Sequence, residues 1–215
     1  MLIITIKQGK EKSILAGDPW IYPTAIERVD GRPQEKNKPG ATAIVQSSSR
    51  QFLARAAFNA HATQIRARVW TLREDEPVDH AMIKRRVQAA LARRADAIAK
   101  LGAEELVELI KGEPDGLPGL VVDYYGGKDG YLLCGFQSGA AEAWKVPIVQ
   151  ALIAETGCPN VFQRADEELR KGEGLPVFTR ELAGAAPPAK SVVKKRGVRV
   201  YMDLKTGFEF PKGPV

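Results

Sequence analysis

Histidine and cysteine are scarce in this chain, two of each among 215 residues, and that scarcity removes several chemistries at once. His61 and His80 have no partner at i+4 spacing, so no zinc-binding pattern is present. Cys134 and Cys158 form no C-x-x-C pair and read as reduced thiols of a cytoplasmic protein. No apolar stretch reaches the length of a membrane span. Met1–Ile6 is too short for a secretory segment, and its lysines follow rather than precede it. A G-x-G-x-x-G loop after a strand and a G-x-x-x-x-G-K-[ST] loop are both missing. Gly126-Gly127 follows a strand, but no helix starts there, so it reads as a turn. Ser47-Ser48-Ser49 lacks the flanks of a nucleophile elbow and reads as a hairpin tip. No catalytic constellation is visible and no metal is expected.

What is present is a globular composition, 44% hydrophobic and 27% charged, enough for one large or two ordinary domains. The net charge of +6 is unevenly placed. Residues 1–72 hold eleven Lys/Arg against five Asp/Glu, and residues 73–215 hold 21 of each. A basic excess confined to one segment points to a polyanion, most simply nucleic acid.

Along the first third, short strand-like runs alternate with turns: Met1–Lys7, Ala41–Gln46, Gln51–Phe58 and Gln64–Leu72, with a short helix at Lys10–Ala16. The last strand puts Ile65, Ala67 and Val69 on one face and Gln64, Arg66, Arg68 and Trp70 on the other. Many short strands and little helix predict a small β-barrel over residues 1–73. Beyond Pro77 the period changes. Asp79–Leu101 spaces its apolar residues as an amphipathic helix of about six turns, capped by Asp79 and closed at Gly102.

Lys111–Tyr125, K-G-E-P-D-G-L-P-G-L-V-V-D-Y-Y, packs three glycines and two prolines between two apolar runs and predicts a rigid hairpin. Asp115 and Asp123 admit two readings, a carboxylate pair for acid–base work or turn-capping residues, and the second is the commoner use. Tyr131–Gln137 follows as a strand, Ala140–Glu155 as a helix with Pro147 as a kink, and Asn160–Arg164 as another strand. Residues 77–170 thus predict a compact α+β unit with helices over one face of a small sheet. From Lys171 glycine and proline suggest a linker. Val192–Met202 reads as a hairpin with a basic turn and no partner to cover it, so the tail from Phe178 is expected to lack fixed packing.

For a polyanion, Lys7, Lys10 and Lys12 cluster with Trp20, while Arg50, Arg55, Arg66 and Arg68 lie on or beside neighbouring strands. Arginine suits bidentate phosphate contacts, and aromatic rings offer stacking for unpaired bases. The solvated face of a half-buried strand is an equal reading of Arg66 and Arg68.

Gly9-Lys10-Glu11-Lys12-Ser13 with Pro19-Trp20, Leu53-Ala54-Arg55, Gln64-Ile65-Arg66-Ala67-Arg68-Val69-Trp70, Gly112-Glu113-Pro114-Asp115-Gly116-Leu117-Pro118-Gly119 and Lys205-Thr206-Gly207-Phe208 occur in one order. On these motifs the chain, from about Gly9 to Gly207, resembles the bacterial ribosomal RNA large subunit methyltransferase I family. Those enzymes use S-adenosylmethionine to methylate C5 of a cytosine in 23S rRNA. The resemblance implies an N-terminal RNA-binding PUA barrel, the α+β unit above, and a Rossmann-like methyltransferase domain placed last. It implies that residues 171–215 are a linker and the truncated start of that last domain, which is otherwise absent. It also implies that this chain binds no cofactor itself. Neither cysteine matches a catalytic one. Three departures stand out: Lys205 follows Asp203-Leu204 at once, Glu209-Phe210-Pro211 replaces the family's aromatic-Leu-Asp-Gln-Arg after Phe208, and the Ser47–Arg50 turn lacks the family's glycine. The resulting expectation is the 23S rRNA-recognising half of a methyltransferase. A stand-alone RNA-binding module and an interaction domain without an RNA role are the alternatives.

Overall fold

The structure is a computed structural model that describes residues 1–211. Its first part holds β1 (Leu2–Ile6), α1 (Glu11–Leu15), β2 (Trp20–Ile21), β3 (Ile26–Asp30), α2 (Pro33–Lys36), β4 (Ala41–Gln46), β5 (Phe52–Phe58) and β6 (Ala67–Thr71). They form one six-stranded sheet in the order β2-β6-β5-β4-β1-β3. Only β1 and β4 run parallel. The sheet curls around Leu2, Ile4, Ile6, Ile14, Val45, Leu53 and Phe58, all buried. The period-2 pattern of β1 and β4 supplies these positions, and burial of each such side chain stabilises by roughly 1.5–3 kcal/mol. Strand β3 was not apparent in the sequence, because Glu27, Arg28 and Asp30 make it an edge strand rich in charge. The strand expected from Gln64 begins only at Ala67. Arg66 donates its backbone N–H to Ile21 O at 2.9 Å, outside β6.

The middle of the chain holds α3 (His80–Arg93), α4 (Ala95–Ala99), β7 (Leu106–Lys111), β8 (Leu120–Tyr125), β9 (Tyr131–Phe136), α5 (Gly139–Ala143), α6 (Lys145–Thr156), β10 (Val161–Arg164), α7 (Glu167–Gly172) and β11 (Arg180–Ala183). The five strands line up as β11-β10-β9-β8-β7, with α3 and α6 packed together against one face. Asp79 caps α3 as expected, its Oδ1 accepting from Met82 N at 2.8 Å. The single six-turn helix predicted there is two helices. The break at Arg94 lets its guanidinium leave the helix line and reach Asp115. The second predicted helix is also two, separated at Trp144. Pro147 offers no N–H to the Ala143 carbonyl and sits instead in the first turn of α6.

The Pro/Gly turn between β7 and β8 resolves the two readings of Asp115 in favour of structure. Its Oδ2 accepts from Lys111 N at 2.7 Å, Arg94 grips both oxygens at 2.9 and 2.8 Å, and Arg93 adds a bond of 2.6 Å. Arg86 donates to Gly116 O at 2.6 Å. Gly116 itself is left-handed, with φ of 69°, where a side chain would be strained. The hairpin is thus the anchor that fixes α3 to the sheet.

Besides having its own core, the barrel gives Ala57 and Trp70 to the cluster of Met82, Val87, Leu109 and Phe136. One expectation about the fold is corrected: the tail is not an unpartnered hairpin. Beyond α7 and β11, which the glycine-rich sequence concealed, β12 (Ser191–Lys195), β13 (Val198–Asp203) and β14 (Phe208–Glu209) form a third sheet. Val193, Met202 and Leu204 pack on Leu133 and Phe162, on the sheet face opposite the helices. Tyr125 Oη donates to Val192 O at 2.7 Å and Arg164 Nε to Leu204 O at 2.6 Å.

Replacing Asp115 with Asn removes the charge that two arginines face, at a side chain only 2% exposed. The expected loss in urea unfolding is about 3 kcal/mol, and an unchanged midpoint would remove Asp115 from its anchoring role.

Candidate nucleic-acid interface

The eight residues singled out for RNA separate into two groups. Strand pairing sets the division. Because β1 and β4 are parallel, with Thr5 opposite Gln46, the loop after β1 and the turn after β4 leave the sheet at the same end. Lys7 and Lys10 occupy the first, with Lys12 just beyond it in α1, and Arg50 the second. All four are exposed, and none is in an ion pair among the described residues. Arg50 carries a φ of 66°. This left-handed conformation costs a non-glycine residue about 1–2 kcal/mol, and here it holds a cation at the tip of the turn.

The remaining four lie along β2, β5 and β6. Trp20 pairs with Arg68, and Arg68 with Ala57, so these side chains share the face turned to the α+β unit. Arg68 is forked: Nη1 reaches Glu113 Oε1 at 2.6 Å and Nη2 reaches Glu173 Oε1 at 2.9 Å. Glu113 Oε1 also accepts from Trp20 Nε1 at 2.9 Å. Glu173 Oε2 accepts from Asn59 Nδ2 and from Gly139 N, both at 3.0 Å. Beside this clamp Gly40 meets α5 so closely that an added Cβ would lie 1.9 Å from Gly139 O. Arg55 donates to Glu74 O at 2.9 Å and stands 5.9 Å from the Phe52 ring. Arg66 is half-buried, and its Nε has no partner. It lies at the other end of β6 from the lysine loop.

The sequence offered Arg68 and Trp20 as RNA contacts but gave no sign of Glu113, Glu173 or Asn59, whose bonds across the joint span 34 to 114 residues. Burial would raise the Glu113 carboxyl, but the Trp20 and Arg68 bonds hold it below the usual carboxylate range. A cleft of about 270 Å³ opens beside the clamp, between Gln64 and Ile65 of the barrel and Leu169 of α7.

Neither thiol is disposed for nucleophilic chemistry. Cys134 and Cys158 are buried, and burial pushes both upward from the ordinary thiol value. No group of His, Cys, Asp and Glu able to hold a metal occurs among the described residues, and no described helix is long and apolar enough to cross a membrane. The turns leading from β9 to α5 and from β10 to α7 do not fit a nucleotide cofactor. Their helix-starting amides are already bound by Glu173, Ser138 and Asp166.

The PUA-like domain family matches residues 4–72. Ribosomal RNA large subunit methyltransferase I of Aliivibrio fischeri is 36% identical over 209 residues, 95% of this chain and 50% of its own length. The Vibrio vulnificus protein of that name is 38% identical over the same shares, and that of Salmonella arizonae 34% identical over 95% and 48%. The chain is related to these rRNA methyltransferases. It spans about half the length of the curated relatives it matches.

A solved SAM-dependent methyltransferase from Streptococcus mutans superposes over 97% of this chain and 50% of its own, with a TM-score of 0.74 at 13% identity. A second methyltransferase structure, complexed with SAH, gives the same figures. These neighbours overturn the expected fold class. Over 97% of its length the chain shares its fold with half of each neighbour, in one continuous superposition that takes in both the curled sheet and the α+β unit.

Arg68→Ala leaves Glu113 and Glu173 facing each other without a cation in a nearly closed joint. Unfolding should become easier by about 3 kcal/mol or more. Because Glu113 and Asp115 sit below their unfolded values, their stabilisation is full above about pH 4.3 and fades as pH falls through the folded values. Wild-type Tm measured from pH 7 to pH 3 should therefore drop in the acid range. A flat profile would show that these carboxylates do not hold the joint.

Proposed function

We propose that the chain binds ribosomal RNA, as the substrate-recognition part of a 23S rRNA cytosine-C5 methylation system of the cytoplasm. One observation carries the reading: four unpaired, exposed cations, Lys7, Lys10, Lys12 and Arg50, gathered at one end of a PUA-like sheet. Cations left without carboxylates remain available to phosphates, and releasing counterions from RNA makes their binding favourable. Arg66, half-buried at the far end of the sheet, is a further candidate contact through the exposed part of its guanidinium only. Trp20 and Arg68 serve the same surface indirectly, by fixing the barrel against the α+β unit, and Arg55 by holding the segment after β6 through Glu74 O. In this reading residues 1–73 recognise RNA, residues 77–170 hold the barrel in position, and residues 171–215 carry the third sheet. The curated relatives' names support rRNA as the partner. With both thiols buried, the chain's own share in the reaction is recognition. Titration with S-adenosylmethionine should release no heat of binding.

A labelled 23S rRNA fragment tests this directly. The combined variant Lys7→Glu, Lys10→Glu, Lys12→Glu and Arg50→Glu should bind at least about tenfold more weakly at low salt, with a salt slope shallower by about one per cation. Coincident gel shifts for variant and wild type would refute the assignment. Arg50→Gly separates function from folding. It should stabilise the fold by about 1 kcal/mol, because glycine adopts φ of 66° without strain, and still weaken RNA binding.

A further inference from the structure

The third sheet presents a feature that neither the clamp nor the basic end of the barrel uses. Its inner face is apolar and covered: Val193 and Met202 are 0% and 4% exposed. Its outer face carries exposed aromatic rings. Pairing sets Asp203 opposite Phe208, and Phe210 N donates to Tyr201 O at 2.9 Å. Period 2 along β13 and β14 therefore brings Tyr201, Phe208 and Phe210 onto one face, opposite to Met202. Tyr201 is 53% and Phe208 57% exposed. The Phe208 and Phe210 rings stand edge to face at 5.3 Å. Lys190 places its Nζ 4.4 Å from the Tyr201 ring and 5.5 Å from the Phe210 ring.

Lys190 alone is seen against the rings, and further cations lie elsewhere on the third sheet. Arg199 is held by Glu104, and Lys195 by Glu209. Lys190, Arg196 and Lys205 have no ion pair among the described residues. Arg196 heads the β12–β13 turn at φ of 49°, a second arginine in the left-handed region. Exposed rings on a sheet, beside a free cation, suit unpaired nucleic-acid bases. Each base has a π-face to stack on a ring, while its phosphate reaches a neighbouring cation. A duplex offers no free base faces and gains little from such rings.

We infer that the outer face of β13–β14 is a stacking platform for unpaired RNA bases, with Tyr201, Phe208 and Phe210 as the rings and Lys190 as the phosphate contact. The inference rests on the RNA-binding reading above and adds a second contact, on the opposite part of the chain, that selects single-stranded segments. The full chain and its Tyr201→Ala, Phe208→Ala, Phe210→Ala variant can be titrated with two labelled RNAs of equal length. One is an unstructured 12-mer and the other a blunt duplex. All three changes are on the solvent side of the sheet, so the melting curve should stay within a few degrees.

The variant should lose about tenfold or more in affinity for the 12-mer and bind the duplex as wild type does. Tyr201→Phe should retain 12-mer binding, because a ring remains. Equal affinity of variant and wild type for the 12-mer overturns the platform and leaves the barrel reading intact. Wild type that binds neither RNA overturns the barrel reading itself. If wild type sediments as a dimer that the triple variant breaks, the face is a protein interface and the platform is likewise overturned.

Discussion

Arg68 is the one cation on which the two halves of this molecule depend. It lies on the barrel, and both of its acceptors belong to the other unit, Glu113 in the Pro/Gly hairpin and Glu173 just beyond α7. A guanidinium suits this position because its planar fork can satisfy two carboxylates at once, which an ammonium cannot. Each carboxylate in turn carries a second barrel contact, from Trp20 or Asn59. The joint is therefore cross-braced, and the hydrophobic cluster that runs from Trp70 to α3 closes behind it.

That joint has a consequence for charge. Arg68, which faces the α+β unit, is neutralised by its acids, and the cations at the free end of the barrel have no ion pair among the described residues. A positive excess legible in the composition of the first 72 residues thus becomes a directional one. The tail continues the same logic. It has one apolar face for the body and leaves rings and cations on the other. RNA contacts at the barrel end and at the third sheet would then be made by a frame with little freedom to flex between them.

Much of the barrel and nearly all of the Pro/Gly hairpin were readable from the chain. The apolar β-branched runs of β1 and β4 read as strands, and P-D-G-L-P-G admits few turns. The breaks at Arg94 and Trp144 were harder to read, since each depends on a distant partner or on a proline three residues on. α7 and β11 were hidden because Gly172, Gly174 and Pro176 punctuate them. The tail was judged unpartnered because its partners, Leu133 and Phe162, lie on the far face of a sheet whose strands already looked complete.

By itself, the sequence determined which residues are apolar at period 2, where the turns must fall and which segment carries the surplus of positive charge. These follow from local sterics and composition. Only the tertiary structure decided that Arg68 and Trp20 brace a joint while Lys7, Lys10, Lys12 and Arg50 stay free. Whether a charge is available depends on the carboxylates that folding brings to it, and those carboxylates come from positions about 45 to more than 100 residues away.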